Sequence, residues 1–201
     1  WEKVYQTKPA ETVSWYAPSL VTSIKLITSL APSTHSAIVD VGGGASTLVA
    51  ELSQLGYDDL TVLDLSETAL KKSEAALRSQ SPAKADRVNW VVTDVLAWKP
   101  TQAYAVWHDR AALHFLTRAE DRRRYFEIAH DAVAPGGHLV LATFGPDGPN
   151  NCSGLPVWRS DETSLKGDAS PLFDMQSCTA ETHITPAGNA QQFVYSTFHR
   201  V

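Results

Sequence analysis

The segment that most narrows what this chain can become is Ala37-Ile38-Val39-Asp40-Val41-Gly42-Gly43-Gly44-Ala45-Ser46-Thr47-Leu48. It is a short apolar run ending in an acid, then a glycine cluster, then a helix start. The 41 residues before Gly42 contain no glycine, so the cluster has a local cause. Glycine has no Cβ to hold a ligand away and reaches positive φ without strain, so a strand, a glycine loop and a helix together form a place where backbone approaches a nucleotide-type ligand. The alternative, an ordinary tight turn after a buried strand, does not account for the acids that follow downstream.

Spacing narrows the ligand. A dinucleotide loop uses glycines at relative positions one, three and six, the last packing helix against strand. Here those positions hold Gly42, Gly44 and Thr47, and no Gly-Lys-Ser/Thr exists for a phosphate loop. What remains is an acid two residues before a Gly-x-Gly-x-small pattern, Asp40, Gly42, Gly44 and Ser46. This resembles the first motif of the class I S-adenosylmethionine-dependent methyltransferases, whose cofactor is a mononucleoside without a pyrophosphate. Ser46 stands where a third glycine is commoner in that family, and its small side chain still permits close helix packing.

Further strands extend the pattern. Leu60 to Ser66 carries Asp64, 20 residues after Gly44, and Val88 to Val95 ends around Asp94, 30 residues beyond. Open α/β sheets bind ligands at the carboxyl edge of their strands, where these acids fall. Asp64 is placed to accept both ribose hydroxyls. The resemblance implies that Asp94 accepts the adenine amine, that the Val95 amide meets the ring, and that Gly43, Leu65 and Trp15 complete the cofactor site. The fourth and fifth strands are Tyr104 to Arg110 and Gly137 to Phe144, with a helix from Arg118 to Val133 stopped by Pro135-Gly136-Gly137. Two final runs, Thr179 to Thr185 and Gln191 to Arg200, flank Pro186-Ala187-Gly188-Asn189, a hairpin signal. The fold expected from the resemblance is α/β and Rossmann-like, a doubly wound, mostly parallel seven-strand sheet with a C-terminal antiparallel hairpin.

At 201 residues, 43% hydrophobic and 19% charged, the chain reads as one globular domain, 1–201. Residues 1–35 read as an N-terminal aromatic lid and 36–201 as the cofactor-binding sheet core. No apolar run approaches the ~18 residues needed to span a bilayer, and Trp1 to Tyr5 lacks a signal-peptide pattern, so the expectation is a cytoplasmic protein with no membrane partner. A net charge of −5 without a basic run argues against nucleic acid. Arg118, Arg122, Arg123 and Arg124 lie among Glu120 and Asp121 and read as a solvated helix face. Cys152 and Cys178 read as reduced thiols, and no Cys/His grouping has metal-site spacing. Gly145 to Ser170, rich in Pro, Gly, Asp and Ser, reads as one long irregular insertion.

The lid expectation rests on Trp1, Tyr5, Trp15 and Tyr16, four large aromatics in 16 residues, followed by a helical run from Ser19 to Leu30. Aromatic faces attract cations, including a sulfonium, and a lid excludes water from the nucleophile. Trp-x3-Tyr-x2-Lys, Val13-Ser14-Trp15-Tyr16, Trp107-His108-Asp109-Arg110, Cys152-Ser153-Gly154-Leu155 and the closing strands are together similar to small bacterial class I methyltransferases over nearly the whole chain. The expected cofactor is S-adenosyl-L-methionine and the expected partner a small-molecule substrate. Substrate contacts are expected from Tyr5, Lys8, Trp15 and Arg110, and catalytic roles from His108, Asp109, Arg110 and His183. His114 falls in an apolar segment, Ala111 to Leu116, that reads as helical. A thiol, with a reference pKa of about 8.5, ionises with modest help from a cation such as Arg110 or Lys8, whereas a lysine amine, at about 10.4, needs desolvation and a base. S-methylation of a thiol or sulfide is the leading expectation, with a protein lysine N-methyltransferase and a catalytically silent cofactor-binding scaffold as alternatives.

Overall fold

The computed structural model describes residues 1–7 and 9–201. A short helix α1 (Glu2–Thr7), a 3-10 turn (Ala10–Thr12) and α2 (Val21–Leu30) precede the sheet. Strand β1 (Ile38–Val41), α3 (Leu48–Gln54), β2 (Leu60–Asp64), α4 (Glu67–Gln80), α5 (Pro82–Ala85), β3 (Asn89–Val92) and β4 (Tyr104–Arg110) follow. Then come α6 (Ala119–Ala132), β5 (Val133–Phe144), the small β6 (Asn151–Cys152) and β7 (Leu155–Pro156) pair, α7 (Glu162–Ala169), β8 (Phe173–Ile184) and β9 (Ala190–Arg200).

The seven-stranded sheet has the order β3-β2-β1-β4-β5-β9-β8. Strands β1 to β5 are parallel, and β9 pairs antiparallel with both β5 and β8, so β9 alone runs against the rest. This is the seven-strand Rossmann-like architecture. Successive strand residues point to opposite faces. Ile38 of β1 and Val106 of β4 meet Ile27 of α2, Leu52 of α3 and Leu70 of α4 on one face. Val39, Val41 and Trp107 meet Tyr125, Phe126 and Ala129 of α6 and Leu165 of α7 on the other.

Local chemistry sets the element ends. Ser66 caps α4 by accepting from the Ala69 amide at 3.1 Å, with Glu67 in the first turn and Arg78 in the last, as the helix dipole favours. Arg118 precedes α6, so the helix expected over Arg118 to Val133 is Ala119–Ala132. The Pro135-Gly136-Gly137 segment does not precede β5 but lies inside it. Gly136 has φ +77, a β-bulge displaces the register between Tyr104 and Val106, and a Cβ on Gly137 would lie 2.9 Å from the Ala105 carbonyl oxygen.

The insertion read as irregular is instead half ordered. Asp161 and Ser164 form a reciprocal capping box that starts α7, with Asp161 Oδ1 accepting from the Ser164 amide at 2.8 Å. β8 extends six residues earlier than the run that began at Thr179. Arg122 also departs from the solvated-face reading. It is buried, donates to Asp168 Oδ2 at 2.5 Å and to the carbonyls of Leu116 and Thr117, and lies 4.1 Å over the Trp158 ring. Ala111 to Leu116 is not an α-helix: Ala111 takes φ +72, and a 3-10 turn covers Leu113–Phe115.

Candidate active site

The parallel strands deliver the acids and glycines to one edge. Gly42 and Gly44 take φ +68 and +46, the left-handed region that favours glycine. The loop is tied to β2 by the Gly42 amide, which donates to the Leu63 carbonyl at 2.7 Å. A Cβ on Gly42 would meet Ala112 Cβ at 2.5 Å, one on Gly43 would meet Asp40 Oδ2 at 2.5 Å, and one on Gly44 would lie 2.8 Å from the Tyr5 hydroxyl and 3.0 Å from Asp64 Oδ2. Each glycine thus answers a close approach by a different neighbour.

A cavity of about 860 Å³, counting the open space at its mouth, lies along this edge. Gly42, Asp64, Leu65, Asp94 and Val95 line it together with Trp1, Tyr5, Trp15, Arg110, Phe115, Leu116 and Cys152, and Tyr5 stands beside Asp64 at Gly44. A second hollow of about 490 Å³ shares Tyr5, Trp15, Gly42 and Arg110 with it and adds Asp40, Gly43, Tyr16 and His108. All the residues expected at the cofactor therefore sit on one or the other of these walls, Gly44 through its contact with Tyr5 and Asp64.

Asp64 is 8% exposed and accepts from the Ser66 amide at 2.7 Å. Burial, reinforced by the nearby Asp40 carboxylate, pushes its carboxyl up to about 6, so it gains from further hydrogen-bond donors. Asp94 is exposed and uses one oxygen to accept from the Leu96 amide at 2.8 Å. Among the described residues that line the larger cavity, Arg110 is the single basic side chain. A glycine cradle, two carboxylates and aromatic walls without a cluster of cations fit a nucleoside bearing a positive sulfur and do not fit a polyphosphate.

The N-terminal segment lines the cavity through Trp1, Tyr5 and Trp15. The Glu2 carboxylate accepts from Ser66 Oγ at 2.6 Å, from the Thr68 amide at 3.2 Å and from the Thr68 hydroxyl, tying α1 to the start of α4. These hydrogen bonds pull the Glu2 carboxyl down to about 2. Trp1 meets Trp15 and Phe115 edge-on, with ring centroids 5.5 and 4.8 Å apart. Burial, and then the Asp64 carboxylate, push the Tyr5 phenol well above its usual range.

The four expected catalytic residues separate. Arg110 lines both hollows; its Nη1 donates to the Trp15 carbonyl at 2.7 Å and its Nε to the Tyr195 hydroxyl at 3.2 Å, 4.8 Å over the Phe193 ring. His108 is 1% exposed, with both ring nitrogens engaged by Asp40 and Ser23. Asp109 corrects the expectation: it points to the opposite sheet face, fully buried, and accepts from Tyr125 Oη and the amides of Ala112 and Leu113. His183 also lies off both cavity walls, its Nε2 2.9 Å from the Ser14 carbonyl oxygen, so it holds the covering segment against β8. Of the substrate set, Tyr5, Trp15 and Arg110 come together, and Lys8 lies outside the described residues.

Phe115, Leu116 and Cys152 are wall residues that sequence reasoning did not assign. The available signal was the Ala111-Ala112 pair after Arg110, small residues that let the chain turn tightly against Gly42. No group of three or more metal-ligating side chains occurs among the described residues, and no helix among them is long and apolar enough to cross a membrane.

Residues 39–139, half of the chain, match the family model described as a methyltransferase domain. The chain is similar to the ubiquinone/menaquinone biosynthesis C-methyltransferase UbiE of Roseobacter denitrificans, at 30% identity over 117 residues, covering 57% of this chain and 45% of that protein. It thus spans just under half the length of that relative. Its fold is like that of the glycopeptide N-methyltransferase MtfA complexed with S-adenosyl-L-homocysteine, with TM-score 0.72, 16% identity and coverage of 99% of this chain and 97% of that one. It is also like the fold in a structure concerned with conversion of a disulfide bond into a thioacetal group during echinomycin biosynthesis, with TM-score 0.74, 19% identity and coverage of 99% and 91%.

Proposed function

The chain belongs to the class I S-adenosylmethionine-dependent methyltransferases, and from that premise we propose that it methylates a small molecule at a thiol or sulfide sulfur. The observation that carries this reading is the lining of the larger cavity: besides Asp64 and Asp94 it presents, among the described residues, aromatic rings, one guanidinium and no histidine or lysine. His108 has both ring nitrogens engaged, His183 lies off both cavity walls with its Nε2 at the Ser14 carbonyl, Asp109 lies on the other sheet face, and Asp64 and Asp94 are given to the nucleoside in this reading. Burial pushes the Cys152 thiol up, away from service as a base. An acceptor here must ionise with little help, and a thiol at about 8.5 does so far more readily than an amine at about 10.4.

When bound, S-adenosylmethionine would supply a methyl carbon activated by its sulfonium, for transfer to an acceptor sulfur with S-adenosylhomocysteine as the leaving group. The protein contributes alignment and water exclusion. The Trp1 and Trp15 rings line the cavity, where an aromatic face turned to a sulfonium favours the cation, and Tyr5 of α1 lines it beside them. The partners of Arg110 are neutral, so its charge is left to stabilise a thiolate beside it.

Incubation with labelled cofactor and a panel of thiols, amines and carboxylates tests the reading. Thiols are expected to turn over, with a rate that rises along the ionisation of the thiol, and Arg110→Ala is expected to move that profile to higher pH. Label on a protein lysine in a lysate, with no thiol turned over at about millimolar concentration, would replace this reading with the lysine one. Cofactor binding without any transfer would leave the scaffold reading.

A further inference from the structure

A buried chain of three polar side chains runs beneath the glycine loop. Asp40 of β1 and His108 of β4 are directly paired across the parallel strands and share a sheet face. His108 Nδ1 lies 2.7 Å from Asp40 Oδ1, and His108 Nε2 lies 2.8 Å from Ser23 Oγ of α2. Ser23, His108 and Asp40 are 0%, 1% and 5% exposed. The same three residue types serve as a nucleophile relay elsewhere, but Ser23 is fully buried on the inner face of α2 and cannot reach a substrate. The direction that remains open leads through Asp40 into the smaller hollow.

Resting on the assignment of the cavity to S-adenosylmethionine, we propose that His108 is a positioning residue that holds the Asp40 carboxylate for the cofactor's ammonium group. Asp64 and Asp94 line the larger cavity and Asp40 lines the smaller hollow that shares Tyr5, Trp15, Gly42 and Arg110 with it, so Asp40 is the carboxylate set apart for the amino-acid tail. An ionised carboxylate only accepts, so Nδ1 carries the proton between them. Nε2 then either accepts the Ser23 hydroxyl proton or, if protonated, donates to its oxygen, and serine can meet both cases. One Asp40 oxygen is thereby fixed. The other, Oδ2, is left against Gly43, where even a Cβ would approach to 2.5 Å.

The test compares two ligands by calorimetry on the full chain: S-adenosylhomocysteine, and 5′-methylthioadenosine, which keeps the nucleoside and lacks the amino-acid tail. His108→Gln, whose amide reaches the place of Nε2 but not of Nδ1, is expected to weaken S-adenosylhomocysteine about tenfold by freeing Asp40, and to leave methylthioadenosine unchanged. His108→Asn, whose amide nitrogen stands near Nδ1, is expected to restore most of that loss. Equal loss for both ligands, or no loss for either, would overturn the proposal. Should the His108 variants not fold, Ser23→Ala decides by the same comparison: a selective loss of about two- to threefold supports it, and an equal or absent loss overturns it. Asp64→Ala is the control for the underlying assignment and is expected to weaken both ligands. If it weakens neither, the assignment of the cavity is wrong and the role of His108 falls with it.

Discussion

Asp64 stays protonated in the folded, ligand-free protein up to about pH 6, whereas its ordinary value is 3.8. Between those values the folded state holds a proton that the unfolded state has lost, so the stability of the ligand-free protein falls as pH rises through that window. Asp109, also raised to about 6 by burial, acts in the same direction but lies away from the cavity. Ribose hydroxyls donate to the ionised form, so S-adenosylhomocysteine is expected to bind more tightly as pH rises through about 6, releasing a proton. Calorimetry in buffers of different ionisation enthalpy reads this directly, and a flat affinity with no proton release would contradict it. Asp64→Ala is expected to weaken the ligand by about 1 to 3 kcal/mol. His114 has the opposite sign. It is fully buried between Phe115 and Phe144, neither ring nitrogen has a partner among the described residues, and burial pulls its pKa down to about 3. It contributes stability present above its ordinary 6.5 that is lost as pH falls toward 3. His114→Leu is expected to raise stability by about 1 kcal/mol in urea unfolding, since it removes two buried polar atoms without partners. The split of Trp107-His108-Asp109-Arg110 between two sheet faces was legible in the alternation of a strand, which sends His108 and Arg110 one way and Asp109 the other. That His108 would be fully engaged was not legible, because Ser23 reaches it from 85 residues away.

At the scale of elements, α1 is too short to hold itself and depends on what ties it down. The Glu2 latch to Ser66 and Thr68 is present above the ordinary carboxyl value of 4.5 and is lost as pH falls toward about 2. Glu2→Ala is expected to speed amide exchange across Glu2–Thr7 and to leave β1 to β5 unchanged, and bound S-adenosylhomocysteine is expected to slow exchange of the same segment. Unchanged exchange in both cases would remove the lid role. The strand, glycine and helix pattern from 37 to 48 made the parallel core readable, since burial, acids and punctuation all agreed there. The later elements were harder. α7 contains Gly167, Asp168 and two serines or threonines, with Leu165 and Ala169 as its only buried anchors, so propensity is nearly silent and the Asp161 and Ser164 box is the main local signal. β8 alternates poorly because, along most of its length, neither face is deeply covered; its neighbour β9 fixes it.

For the molecule as a whole, a ligand that binds only the folded state stabilises it by about 2.7 kcal/mol at a hundred times its Kd. For a chain of this size that corresponds to a rise in Tm of about 5 to 10 °C with S-adenosylhomocysteine, and nicotinamide dinucleotide is expected to produce none. The strand order carries one more consequence, for synthesis. β9 is the latest strand in chain order, yet it lies inside the sheet, between β5 and β8. A nascent chain that has emerged as far as Thr185 therefore presents an open edge on β5 and a β8 with no neighbour at all. Both are templates for pairing with other chains. A ribosome that pauses between β8 and β9 holds the protein with these edges exposed, and the eleven residues Ala190–Arg200 cover the β5 edge and one edge of β8 in a single step.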